Sequence, residues 1–325
     1  MTAPFATLTP DTLLDALESA GLRPDGRLIA LNSYENRVYQ VGMEEGSPLV
    51  AKFYRPQRWS DAAILEEHAF AQELAEREVP VVAPMAIDGI TLFTHGEHRF
   101  AVFPRRGGRA PELSDGDVLQ WLGRFIGRIH AIGALRTFEQ RGSIDVETFG
   151  RQSVETLRQN GFVPEDLRSD YEAVTSQAIT VMTTLYDKAG KVSHLRLHGD
   201  CHAGNMLWTD GGPHFVDLDD ARMGPAVQDL WMLLSGEREE RSRQLGDVLA
   251  GYEDFCEFNI RELSLIEALR TLRMIHYAAW IARRWDDPAF PVAFPWFNSP
   301  GYWRQHIAEL SHQIQRMAEP PLWSQ

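Results

Sequence analysis

The chain has 325 residues, enough for one large domain or two ordinary ones, and its 44% hydrophobic content is that of a globular protein with a core to bury. Thirty-two basic against 46 acidic side chains leave a net charge of −14, which argues against a nucleic-acid partner, since phosphates call for basic patches. The two cysteines, Cys201 and Cys256, make neither a disulfide framework nor metal-ligand spacing. No stretch approaches the ~18 apolar residues of a membrane span, and the N-terminal residues lack the basic region and apolar run of a signal peptide. The expectation is a cytoplasmic protein with no membrane partner.

In chain order, residues 37–43 and 48–54 read as β-rich runs flanking a turn-like EEGS, a hairpin signal. Residues 60–76 carry a helix with Ser60 as its N-cap. Residues 90–94 and 98–104, around Gly96, form a second hairpin. The Gly/Pro-punctuated RRGGRAPEL that follows reads as a linker. Beyond it the texture turns helical. Leu119, Leu122, Ile126 and Ile129 recur at helical spacing, and further helices are predicted over 166–190, 225–236 (with Pro225 in its first turn) and 263–285. The fold class expected is α+β, in two unequal lobes: a small β-rich lobe over 1–104 and a larger, mainly helical one over 105–325.

The chemistry concentrates in LHGDCHAGNMLW and the residues after it. NMLW and HFVDLDD bracket a turn of Asp, Gly and Pro, which predicts a hairpin. With the turn centred at Gly211, Asn205 faces Asp217 across the strands, about 5 Å apart at Cβ. An amide oxygen and a carboxylate aimed at one point suit a hard cation such as Mg²⁺. Asp200, five residues before Asn205, is placed to accept a proton from an attacking hydroxyl. A base, two metal ligands and a cation for phosphates are the parts of phosphoryl transfer.

Only three lysines are present, and Lys52 alone interrupts an apolar strand. On the helix that follows, Glu67 has Ala63, Ile64, Phe70, Ala71 and Leu74 as helical neighbours, so it lies on the apolar face. A buried carboxylate needs a cation, and Lys52 paired with Glu67 would orient a nucleotide's phosphates. The loop over 31–37 would cover those phosphates through Ser33 and Asn36, and the backbone just after Phe103 would hold adenine. Residues 1–104 are then the nucleotide-binding lobe, and 105–325 the catalytic and substrate lobe.

HGDCHAGN followed by FVDLDDARMG resembles the catalytic segments of the aminoglycoside phosphotransferase and choline kinase superfamily, relatives of the protein kinases. The resemblance runs from about Pro10 to EPPL near the C-terminus. It implies a two-lobed protein-kinase-like fold and a Ser/Thr protein kinase of bacterial stress responses, using ATP and Mg²⁺. It also implies Asp200 as proton acceptor, Asn205 and Asp217 as Mg²⁺ ligands, Ser33 as an ATP contact, and Asp229 as the carboxylate holding the catalytic loop. The chain departs from protein kinases in having His-Gly-Asp for His-Arg-Asp and Asp-Leu-Asp for Asp-Phe-Gly, with no recognisable activation loop. The missing arginine removes the cation that would greet an activating phosphate.

The expected partner is a protein with a Ser/Thr hydroxyl, the kinase acting as a monomer. A small-molecule kinase for choline, an aminoglycoside or a sugar hydroxyl is the alternative, favoured by the acidic charge and by the aromatic group Phe290, Phe294, Trp296, Phe297, Tyr302 and Trp303. That group reads first as a C-terminal loop packed on the helices. A nucleotide-binding pseudokinase is the second alternative. His198 and His202 read as structural histidines, and Asp219 and Asp220 as either extra charge near the metal or caps of a turn.

Overall fold

A computed structural model describes residues 4–323. The elements are α1 (Pro10–Ser19), β1 (Pro24–Leu31), β2 (Arg37–Met43), β3 (Leu49–Phe53), α2 (Asp61–Glu76), β4 (Phe93–His95) and β5 (His98–Pro104). Then come α3 (Gly116–Gly133), a π-helical turn running into α4 (Gln152–Asn160), α5 (Arg168–Ala189), β6 (Leu195–Arg196), β7 (Met206–Thr209), β8 (Gly212–Phe215) and β9 (Met223–Gly224). The chain ends in α6 (Val227–Trp231), α7 (Arg238–Tyr252), α8 (Ile266–Ala282), α9 (Ala289–Ala293) and α10 (Pro300–Met317). No described helix is long and apolar enough to cross a membrane.

The contacts divide the chain into two units. The first takes the residues up to Glu112 together with Phe138–Arg141 and His202–Ala221. Its five-stranded antiparallel sheet has the order β1-β2-β3-β5-β4, with both expected hairpins present as β2–β3 and β4–β5. Two elements were not expected. α1 is capped by Thr9, whose hydroxyl accepts the Thr12 amide, and it buries Leu13, Ala16 and Leu17 against Val41, Ala51, Phe53, Phe100 and Val102. β1 adds an outer strand to β2. Ser60 caps α2 as predicted, its hydroxyl accepting from the Ala63 amide.

The second unit is helical. Asp115 caps α3, and α3 lies against α7 so closely that a Cβ on Gly123 would stand 2.0 Å from the Val248 carbonyl oxygen. The second unit differs from expectation at five helices, of which α4 and α9 lie where none was predicted. The run over 225–236 forms only the five residues of α6. α7 and α10 fall in segments where no helix was predicted, and the C-terminal aromatics sit on and between α9 and α10 instead of in a loop. Phe290, Phe297 and Trp303 are fully buried there, so packing is their role, with Pro300 after the Ser299 cap starting α10.

Candidate active site

In the first unit, Lys52 stands on β3 between Val38 of β2 and Ala101 of β5. Its ammonium group donates to Asp217 Oδ1 at 2.9 Å and lies 3.2 Å from Asp219 Oδ1. Burial works against its charge, but Asp217, Asp219 and Glu67 outweigh it and hold the lysine well above its ordinary pKa. The expected direct pairing with Glu67 is corrected. The Glu67 carboxylate lies 3.6 Å from Arg141, and it acts on Lys52 through space while Asp217 and Asp219 make the close contacts. Burial raises the Glu67 carboxyl to about 7, against the pull of Lys52 and Arg141.

The β7–β8 hairpin forms, one register step from the expected one. Met206 pairs with Phe215 and Thr209 with Gly212, so Asn205 faces Val216, whose amide donates to the Asn205 carbonyl at 3.0 Å. The reason is the tight turn at residues 210–211, which shifts the pairing sum by one. Asp217 follows with φ 60° and ψ 64°, a left-handed conformation that re-aims its side chain. Such backbone persists only where its surroundings over-determine it. Here Arg141 donates to the carbonyls of Asp219 and Ala221, and Arg58 grips the carboxylates of Asp219 and Asp220.

Asp219 is the hub of this region. Besides Lys52 and Arg58 it accepts from Asn36 Nδ2 at 3.1 Å, and Asn36 Oδ1 takes the Arg55 amide at 3.1 Å. Burial would raise its carboxyl, yet Arg58 and Lys52 hold it at about 2. Arg58 is buried among Asp219, Asp220 and Glu35, and those carboxylates overcome the cost of burial to raise its pKa well above the usual value. Glu35 in turn binds Arg55 at 3.0 Å. Ser33, half-buried, accepts the Asn36 amide at 3.4 Å. Phe103 pairs with Val50 in the sheet and meets His68 edge-on. Ser33, Asn36, Lys52 and Asp217 are therefore one connected set, Glu67 joins it by charge, and Phe103 stands apart on β5.

No three His, Cys, Asp or Glu side chains among the described residues form a metal cage. The half-exposed Asp217 carboxylate and the Asn205 amide at the open end of the hairpin are oxygen groups of the kind a hard cation takes. Hard oxygens in small number are what a cation shared with phosphates requires.

In the second unit, the loop after β6 carries Asp200. The fully buried Asp229 carboxylate accepts the amides of His198 and Gly199, both at 2.9 Å, and bonds His130 Nε2 at 3.0 Å. His130 Nδ1 meets the Tyr252 hydroxyl at 3.0 Å. Gln228 Nε2 donates to the Gly199 carbonyl at 3.2 Å. With its backbone held from two sides, the loop presents the Asp200 carboxylate, whose Oδ1 accepts from Arg273 Nη1 at 2.6 Å. Cys201 is buried, and burial with the Asp229 and Asp200 charges pushes its thiol well above the usual pKa, so it is no thiolate nucleophile. Arg58, Arg141, Arg273 and His130 escaped the sequence reading: each lies far in sequence from its partner, and an arginine among polar neighbours carries no local signal.

The chain matches the family "APH: Phosphotransferase enzyme family" over residues 27–266. It is 47% identical over 318 residues to "Stress response kinase A" of Escherichia coli (strain K12), covering 98% of this chain and 96% of that one. It is 44% identical, over the same length and coverage, to "Serine/threonine protein kinase RdoA" of Salmonella typhimurium (strain LT2). Among solved structures it resembles "Amicoumacin kinase hAmiN in complex with AMP-PNP, Ca2+ and Ami", with a TM-score of 0.73 at 18% identity over 96% of this chain and 94% of that one. At that identity the likeness speaks for a shared kinase-like fold.

Proposed function

The chain belongs to the phosphotransferase enzyme family and is a kinase, and from that premise we propose that it moves the γ-phosphate of ATP to a serine or threonine hydroxyl of a protein, with Mg²⁺ as its divalent cation. The observation that carries this reading is the connected set Asn36–Asp219–Lys52–Asp217, with a buried, charged lysine at its centre. The protein acceptor is supported by the name of the 44% identical Salmonella kinase.

In this reading Lys52 grips the α- and β-phosphates, kept charged by Glu67 and the aspartates around it. Ser33 and Asn36 cover the phosphates, and the backbone after Phe103 takes the adenine. Asn205 and Asp217 would hold the Mg²⁺, which when bound neutralises charge on the phosphates. Asp200 orients the acceptor hydroxyl and takes its proton, on a loop that Asp229 keeps rigid. Positioning and electrostatics supply the rate. The kinase works as a cytoplasmic monomer.

The test is transfer of label from γ-labelled ATP to a generic protein acceptor, with Mg²⁺ or with a chelator, beside Asp200→Asn. Chelator- and Asp200-dependent phosphoserine or phosphothreonine is expected. Label that persists in Asp200→Asn removes Asp200 from the mechanism. Turnover of small alcohols with no protein label moves the assignment to a metabolite kinase.

A further inference from the structure

Although the chain carries a net charge of −14, the helix packed beside Asp200 carries the opposite sign. α8 places Arg270 and Arg273 one turn apart, so their side chains share a face, roughly 5–6 Å apart at Cβ. Two separate routes tie that face to the catalytic loop. Arg273 bonds Asp200 directly at 2.6 Å. The Arg270 guanidinium lies 4.9 Å from the ring centre of Trp231, Trp231 Nε1 donates to Gln228 Oε1 at 3.1 Å, and Gln228 holds the carbonyl of Gly199, the residue before Asp200.

Around Arg270 the cations are short of partners. Glu267 is shared between Arg241 at 2.8 Å and Arg270 at 3.3 Å, and it also accepts from Gln313. The buried Nε of Arg241 has no hydrogen-bond partner, and the Nε of Arg270 has only the 3.3 Å ion pair with Glu267 Oε2. Burial, with the charges of Arg241 and Arg316 added against that of Glu267, lowers the pKa of Arg270. A part-exposed guanidinium stacked on an indole, beside further arginines and a single shared carboxylate, is a receptor for a planar carboxylate or a phosphate.

We propose that Arg270 is a specificity residue of the acceptor site, reading an anionic side chain one or two residues from the phosphorylated hydroxyl, with Arg273 as the positioning residue for Asp200. The spacing follows from geometry: one helical turn between the arginines matches one to two residues of extended chain at about 3.3–3.6 Å each. The inference rests on the proposed function and names its substrate class, an acidic protein segment.

The test uses the full chain with four serine peptides that differ only beside the serine, which is flanked by Asp/Glu, phosphoserine, Ala or Arg. The acidic peptides are expected to exceed the Ala peptide in kcat/KM by ~10-fold or more, the Arg peptide to be poorest, and the difference to lie in KM. Arg270→Gln should collapse the preference to within about twofold by raising the acceptor KM, and Arg270→Lys, which keeps charge without the fork, should restore part of it. Carboxylate and phosphate flanks separate the two anion sources. A preference for Ala or Arg flanks, or an acidic preference intact in Arg270→Gln, overturns the proposal while leaving the kinase reading in place. If no peptide is labelled, the protein acceptor falls. A panel of small hydroxy acids against neutral alcohols then decides the subsite: a carboxylate preference lost in Arg270→Gln sustains it, and equal turnover ends it.

Discussion

A carboxylate with no exposed surface survives folding only when its charge is met by donors, and Asp229 meets two backbone amides and His130. Asp229→Asn would set an amide N–H against one of those donors. We predict a loss of about 1–3 kcal/mol or more, read as a lowered urea midpoint at constant slope, together with a fall in kcat. An unchanged midpoint would show that the loop is held by other contacts. Lys52 poses the complementary case, a buried cation among Asp217, Asp219 and Glu67. Lys52→Met is predicted to lower kcat/KM for ATP on the order of 100-fold. Turnover within a few-fold of the parent would take Lys52 out of the mechanism.

At the scale of elements, the contact of α3 with α7 depends on missing side chains. Gly123 and Gly127 on α3 and Gly251 on α7 bring backbones together, and a Cβ on Gly251 would meet the Gln120 carbonyl oxygen at 1.9 Å. Alanine favours an exposed helix by ~1 kcal/mol over glycine, whereas overpacking a fitted contact costs typically 1–3 kcal/mol. Overpacking should win here, so Gly123→Ala is predicted to lower Tm. A raised Tm would mean the helices can part without loss. The same contact sets His130, near the end of α3, against Tyr252 at the end of α7, which is how helix packing reaches the loop before Asp200. The hairpin shows the limit of local reading: strands, turn and polar ends were legible in NMLW and HFVDLDD. Register was not, because one residue in the turn decides which side chains face each other.

For the whole molecule, buried groups such as His306 and Glu262 shape stability against pH from opposite sides. Burial depresses His306 from 6.5 to about 4, so the folded state prefers the neutral ring. The stability this contributes is present above pH 6.5 and is lost as pH falls towards 4. Burial raises Glu262 from 4.5 to about 7 despite hydrogen bonds from the Val227 and Ala226 amides. Its contribution is full below pH 4.5 and disappears as pH rises through 7, a swing on the order of 3 kcal/mol. Glu262→Gln should flatten the decline between pH 4.5 and 7 in chemical-denaturation profiles, and a profile parallel to the parent's would reject Glu262 as its source.

The residue types, the 3.6-residue apolar periods and the turn chemistry sufficed for the α+β class, both hairpins of the sheet and the Ser60 cap, because each is a local pattern. α1 and α10 escaped the sequence reading although each carries a local signal, the Thr9 cap before Pro10 and the Ser299 cap before Pro300, whereas α7 has no side-chain cap and owes its stability to the apolar face it buries. The exchange of Glu67 for Asp217 and Asp219 as close partners of Lys52, the left-handed Asp217, and the arginines at positions 58, 141 and 273 were settled by the tertiary structure alone. An ion pair between residues more than seventy positions apart has no sequence signature, since desolvation and distance, which decide which charges meet, exist only once the chain has folded.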